Sequence, residues 1–245
     1  MVHSELILLG TGDAESLRYW NSNALIRGAG RNLLIDAGYT IKYALAGVGI
    51  ELPAIDAIFI SHVHGDHVHG LERIGFESRY SYNKRVTLYL EPEMYSLIWD
   101  HCLFGSMGYS DGGRNKLEDF FEVHLITNHQ FYDGGCHFRT FPTPHTNGKP
   151  SYGITINQQL VFTSDTNIIP DLAQRHPQGL IVHDCCLQAY NPVHATLHEL
   201  LQYYSRPLRQ RMLLTHYGDQ IPFYRSLIEQ EFFGLAYQGQ VISLK

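Results

Sequence analysis

Cysteine is scarce in this sequence: four in 245 residues, with no Cys-x-x-Cys pair. Two of them, Cys185 and Cys186, are neighbours, and vicinal cysteines rarely bridge each other. A disulfide framework is therefore excluded, and free thiols in a reducing compartment are expected. Long apolar runs are also lacking, and none approaches the ~20 residues that cross a bilayer as a helix. The opening Met1-Val2-His3-Ser4-Glu5 has no basic segment followed by an apolar one, so a signal peptide is not expected and a cytoplasmic location is. Cations are outnumbered, with 18 Lys and Arg against 24 Asp and Glu for a formal charge of −6. Without clustered Lys and Arg there is little electrostatic grip on long nucleic acid. Runs of like charge, internal repeats and low-complexity segments are missing as well. What remains is a globular chain with 44% hydrophobic residues, read as one domain over residues 1–245 with a substantial core.

Histidine, by contrast, is abundant at 15, and tyrosine reaches 16. The informative stretch is Ser61-His62-Val63-His64-Gly65-Asp66-His67, directly after the apolar run Ala57-Ile58-Phe59-Ile60. Such a run reads as a buried strand, which puts the His/Asp cluster on the loop at its end. Imidazole and carboxylate together suit a borderline divalent metal, zinc first, with Mn²⁺ or Fe²⁺ also compatible.

The rest of the chain alternates short strands with a few helices. Strands are expected at Glu5–Leu9, Asn23–Arg27, Asn32–Ile35, Ala57–Ile60 and Val86–Leu90, then Phe121–Ile126, His137–Phe141, Tyr152–Ile156, Leu160–Thr163, Leu180–His183, Met212–Leu214 and Val241–Leu244. Helical spacing covers Ile41–Val48, a segment beginning near Val68, a segment from Pro92 to about Cys102, His194–Tyr204 and Phe223–Phe233. Phe104–Asn115, rich in glycine and carrying Tyr109, Asp111 and Arg114, reads as a long functional loop. An α/β sandwich with two mixed sheets flanked by helices, the αββα architecture, fits this order.

The order His-x-His-x-Asp-His after a strand resembles the signature of the metallo-β-lactamase-fold hydrolases. The resemblance runs from the turn Gly10-Thr11-Gly12 through Pro144-His145-Thr146 and Ser164-Asp165-Thr166 to Thr215-His216-Tyr217. It implies two divalent metal ions. His62, His64 and His145 would hold the first; Asp66, His67 and His216 would hold the second; Asp165 would bridge both. Asp36 would hydrogen-bond a ligand rather than bind metal, as ligand imidazoles require. His69 is expected to be exposed, and Cys185 and Cys186 to be small fillers.

Two metals about 3.5–4 Å apart can share a hydroxide at neutral pH and take up charge on a phosphoryl oxygen, so the expected chemistry is hydrolysis, with Asp66 orienting the water. An Asp at position 165, rather than the Cys typical of lactam-cleaving relatives, resembles the phosphodiesterases. His194-Ala195-Thr196 resembles the His-Ser/Thr motif of the ribonuclease Z-like branch, which makes His194 the general acid and Asp184 the residue that orients it. That branch includes enzymes that trim tRNA 3′ ends, but the basic arm they use is not evident here. Its compact members include phosphodiesterases of cyclic nucleotides, some of them phage-encoded and directed against anti-phage defence. A small cyclic nucleotide or cyclic phosphate is the expected substrate, with Tyr109, Arg114 and Lys149 as candidate contacts and a homodimer implied by the resemblance. Thioester or lactone hydrolysis, tRNA processing and a metal-stabilised nucleotide-binding protein are the alternatives.

Overall fold

The computed structural model describes residues 4–244. Its strands are β1 (Ser4–Gly10), β2 (Asn23–Gly28), β3 (Arg31–Ile35), β4 (Ala57–Phe59), β5 (Val86–Leu90), β6 (Phe121–Leu125), β7 (Gln130–Asp133), β8 (Cys136–Pro142), β9 (Tyr152–Ile156), β10 (Leu160–Phe162), β11 (Leu180–Asp184), β12 (Met212–Thr215), β13 (Gly234–Leu235) and β14 (Gln240–Leu244). They form two 7-stranded sheets, in the orders β14-β1-β2-β3-β4-β5-β6 and β13-β12-β11-β10-β9-β8-β7. Both sheets are mixed: β3 to β6 run parallel, as do β10 to β13, and antiparallel hairpins complete each sheet. Helices cover the outer faces, so the αββα architecture expected from the order of elements is the one observed.

Burial explains the strand composition. Ala57, Ile58 and Phe59 are all buried, as a central parallel strand covered on both faces requires. One core includes Leu6, Leu25, Ile58, Phe138 and Phe162 and extends under the helix Ile41–Gly47. A second lies around Phe141, Ile181, Leu200, Leu214 and Phe232, beside the helices Leu197–Tyr203 and Arg225–Glu231. Within each sheet, the strands that carry a candidate ligand beyond their ends point the same way. In the first sheet β3 and β4 are parallel. In the second, β8 is antiparallel to β9 and β9 to β10, so β8, β10, β11 and β12 share one direction. The Tyr152 N–H donates to the Ser61 carbonyl at 3.1 Å and ties the two sheets together at that edge.

Three local differences from the sequence reading have identifiable causes. The helix expected from His194 starts at Leu197. Thr196 caps it and Glu199 reaches back to the Thr196 N–H at 2.9 Å, a capping box that leaves His194 on the preceding loop. The segment from Phe104 to Asn115 is not one loop. Its first residues close the preceding helical stretch, and Tyr109–Ser110 pairs with Gly113–Arg114 about an Asp111-Gly112 turn, a hairpin signal the glycine content concealed. The edge strands β7 and β13 were not anticipated; β13 has two residues, and β7 reads Gln-Phe-Tyr-Asp with only alternate positions buried.

Candidate metal centre

Six strand ends at the common edge deliver the candidate ligands and the carboxylates that support them. Asp36 follows β3 with a left-handed φ of 62°, a conformation Asp tolerates better than most residues. The next backbone, Ala37-Gly38, runs against the metal loop: the Ala37 N–H donates to the His67 carbonyl at 2.7 Å, and a Cβ on Gly38 would lie 1.9 Å from the Asp66 carbonyl oxygen. Gly38 is therefore required by close approach. His62 to His67 follow β4, with Gly65–Val68 forming one helical turn. His145 follows β8, Asp165 follows β10, Asp184 ends β11 and His216 follows β12 with φ 57°.

The side chains meet in two groups that share Asp165. His62, His64, His145 and Asp165 offer donor atoms all within 4.8 Å of one another, and so do Asp66, His67, Asp165 and His216. In the first group, His62 Nε2 and His145 Nε2 each lie 3.1 Å from His64 Nδ1. Asp165 Oδ2 lies 3.5 Å from His62 Nε2 and 3.9 Å from His145 Nε2. In the second group, Asp165 Oδ1 is 3.2 Å from both His67 Nε2 and His216 Nε2. Asp66 Oδ2 is 3.3 Å from the same two nitrogens. One carboxylate oxygen of Asp165 thus faces each group.

These spacings fit a metal. Ligand bonds of about 2.0–2.1 Å in a tetrahedron set donor atoms roughly 3.3 Å apart. Buried polar atoms are almost always hydrogen-bonded, yet His67 Nε2 and Asp165 Oδ1 are buried without a partner. Two such atoms aimed at each other's vicinity are what a cation would satisfy. Their orientation is held from behind. His67 Nδ1 is 2.8 Å from Asp36 Oδ2, and His145 Nδ1 is 2.8 Å from the Val193 carbonyl. Both contacts hold a proton on Nδ1 and turn Nε2 toward the cluster. Asp36 also accepts the Ser61 N–H at 2.7 Å and the Ser61 hydroxyl at 2.8 Å, so it supports the ligands and lies outside both groups.

Electrostatics divides the two groups. Burial, and then the charge of neighbouring imidazoles, pushes His62 down, and burial takes His64 and His145 down to about 4. Burial acts the same way on His67 and His216, but the carboxylates outweigh it. Asp165, Asp66 and Asp36 hold His67 well above the ordinary histidine value, and Asp165 and Asp184 do so for His216. Asp165 opposes the burial that would raise it, through the charges of His216 and His67, and sits well below the usual carboxylate range.

Beside the clusters, His194 Nδ1 lies 2.8 Å from Asp184 Oδ2, which leaves Nε2 free. Burial would lower the His194 pKa, but the Asp184 carboxylate raises it overall. Asp184 is fully buried and also accepts the Thr166 N–H at 2.9 Å. A cavity of about 200 Å³ opens over the clusters, lined by His64, Asp66, Asp165, His194 and His216 at its base. Its outer wall carries Asp13, Glu15, Gln188 and Asn191, and no Lys or Arg among the described residues.

The sequence reading gave no role to Ser61, to Ser164, whose hydroxyl donates to Asp36 Oδ2 at 3.2 Å, to Asn191 or to the Val193 carbonyl. Tyr109, Arg114 and Lys149 are exposed and do not line this cavity. Arg114 instead stacks over Phe104 at 5.1 Å on the hairpin. His69 is exposed, Cys185 is buried, and the half-buried Cys186 joins the cavity wall. Among the described residues, no helix is long and apolar enough to cross a membrane.

Comparison with known proteins agrees with this geometry. The Bacillus subtilis protein YhfI, a metallo-β-lactamase fold protein, superposes with a TM-score of 0.78 at 17% identity, covering 99% of this chain and 100% of that one. A diphosphatase from the PhnP family superposes with a TM-score of 0.79 at 19% identity, covering 99% and 98%. The fold is therefore the metallo-β-lactamase fold. An Anti-Pycsar protein Apyc1 from Paenibacillus harenae is 37% identical over 224 residues, 89% of this chain and 91% of that protein. With the family model for Anti-Pycsar protein Apyc1 matching residues 4–242 as well, the chain belongs to that family.

Proposed function

We propose that this protein is a two-metal phosphodiesterase that hydrolyses small cyclic nucleotides. The observation that carries the reading is Asp165, fully buried, with one carboxylate oxygen toward each histidine group. Held there, two divalent ions, zinc by the donor set, would draw charge from the phosphoryl oxygens and furnish a nucleophile from water at neutral pH. The chain's own residues supply the rest. Asp66, at the base of the cavity, orients the attacking water. His194, protonated by virtue of Asp184, gives its Nε2 proton to the ribose oxygen as the P–O bond breaks. The products are a phosphomonoester and a free ribose hydroxyl, so one water is consumed and one ester bond lost.

The size and charge of the cavity favour a small substrate. About 200 Å³ accommodates part of a mononucleotide, and the carboxylates of Asp13 and Glu15 in its lining oppose a long polyanion such as RNA. The family name supports the same reading, since an anti-Pycsar activity implies a small cyclic nucleotide as substrate and a role against a bacterial defence. A homodimer in which the exposed hairpin reaches the partner's cavity would bring Tyr109 and Arg114 to the substrate.

The test is to incubate the metal-loaded protein with 2′,3′- and 3′,5′-cyclic mononucleotides, cyclic dinucleotides and a tRNA precursor. Hydrolysis of a cyclic mononucleotide is expected. Cleavage of the precursor alone would overturn the reading. His194→Ala should slow cyclic nucleotides by 10²- to 10⁴-fold, on the order of a general acid's contribution, and slow an activated aryl phosphodiester far less.

A further inference from the structure

The loop from Gln188 to His194 joins both histidine groups to the general acid, and one side chain organises it. Asn191 Oδ1 accepts two successive main-chain donors, the Val193 N–H at 3.0 Å and the His194 N–H at 3.1 Å. The Val193 carbonyl then holds His145 Nδ1 at 2.8 Å, and the His194 ring goes on to Asp184 at 2.8 Å. Asp184 Oδ1 in turn lies 3.3 Å from His216 Nδ1. A ligand of the first group, the general acid and a ligand of the second group are thus linked through a single turn. The loop is anchored beyond the turn by the Cys186 N–H, which donates to the Ala195 carbonyl at 2.9 Å, and inside it by Asn167 Nδ2, which donates to the Pro192 carbonyl at 2.9 Å. Asn167 thus shares the Pro192–Val193 peptide with Asn191, while Asn191 alone of the two takes the N–H of the Val193–His194 peptide, the unit whose carbonyl meets His145.

We infer that Asn191 is a positioning residue that sets the general acid and the first metal group together through the Val193–His194 peptide, whose carbonyl meets His145 and whose N–H leads into His194. The reason is geometric. A side-chain oxygen that accepts from the second and third following amides closes an Asx turn and fixes the peptide planes inside it. Without it, the Val193 carbonyl is free to rotate away from His145, which then loses the bond that keeps its proton off Nε2. The same rotation moves the His194 Cα, and general-acid catalysis needs its nitrogen within hydrogen-bond reach of the leaving oxygen. The neighbouring Cys186 and Gln188 also line the cavity, but neither accepts from these two amides.

This inference rests on the phosphodiesterase reading and on His194 as its acid, so the experiment carries both. Asn191→Ala, Asn191→Asp and His194→Ala are compared with the unaltered protein on a cyclic mononucleotide and on bis(p-nitrophenyl) phosphate, whose leaving group needs little protonation. Zinc affinity is measured alongside by competition with a chromogenic chelator. Asn191→Ala should lower kcat on the cyclic nucleotide by about 10- to 100-fold with KM within about threefold, and lower the aryl diester rate about tenfold less than that. It should also weaken one zinc-binding event by about tenfold. Asn191→Asp keeps the acceptor oxygen and should recover most of both losses. Equal loss on the two substrates with no recovery by Asp, while His194→Ala still discriminates between them, overturns the role of Asn191 alone. If His194→Ala itself affects both substrates equally, the acid assignment fails and takes the inference with it.

Discussion

Replacing Asp36 by Asn tests how the second metal group is built. Asp36 is completely buried and uses both oxygens: Oδ1 accepts the Ser61 N–H at 2.7 Å, and Oδ2 accepts from the Ser61 hydroxyl at 2.8 Å and from His67 Nδ1 at 2.8 Å. Asn fits the same space and tolerates the left-handed φ of 62°, so the substitution adds no backbone strain. The amide oxygen can still take the Ser61 N–H, but an NH₂ group then faces His67 Nδ1. Two donors cannot pair, so the ring that presents Nε2 to Asp165 and Asp66 loses the acceptor that holds its Nδ1 proton and fixes its orientation. A lost hydrogen bond to a charged group is worth about 1.5–3 kcal/mol, which corresponds to roughly a 10- to 150-fold fall in affinity. Loss of an outer partner of a metal-ligating histidine independently leads to an expected 10- to 100-fold weakening. The assay is a chelator competition that resolves both binding events, with the apo protein's melting curve as a check on folding. The second event should weaken by the stated factor while the first, held by His62, His64 and His145, stays within about threefold. Equal weakening of both events, or of neither, in a folded protein would refute the separation of roles.

Two further outcomes follow from the structure. The two groups should differ in their proton linkage to metal. Burial takes His64 and His145 down to about 4, whereas the surrounding carboxylates hold His67 and His216 above the ordinary value. Protons compete with metal, so affinity at the second group should rise as pH increases through those raised values, and at the first stay flat above about pH 5. Calorimetry in buffers of different ionisation enthalpy should therefore report more proton release in the second event than in the first; equal release would contradict the electrostatic division. Thr196→Ala removes the cap at Leu197 and should cost about 0.5–2 kcal/mol, seen as a melting-temperature fall of roughly 2–8 °C; an unchanged melting temperature would show that the capping box contributes nothing.

Much of the fold was legible because burial leaves a pattern. Ala57-Ile58-Phe59-Ile60 had to be a strand covered on both faces, and it is β4. The edges were harder. β7 and β13 bury little and carry no strong pattern, since an edge strand is stabilised by the neighbour it pairs with. The hairpin Tyr109–Arg114 was concealed for a related reason, because its glycines mark a turn and an open loop equally well. In the site, His62, His64, Asp66, His67, His145, Asp165 and His216 were recognisable because their side-chain chemistry and order carry the signal, and the structure brings all seven together. Asn191 and the Val193 carbonyl were not, because a main-chain acceptor has no residue identity to read.

The sequence alone, then, determined which chemistry was available: imidazoles and carboxylates at strand ends, in a chain with fewer Lys and Arg than Asp and Glu. Only the tertiary structure decided how that chemistry is divided. Strands far apart in the chain run in one direction to a common edge, and that brings Asp165 between two groups with one oxygen toward each. How strongly each histidine favours its protonated state depends on distances to Asp36, Asp66 and Asp184 across loops 10 to 150 residues apart. Coulomb energy and hydrogen bonding act through space, so those states are written in the packing and not in the order of residues.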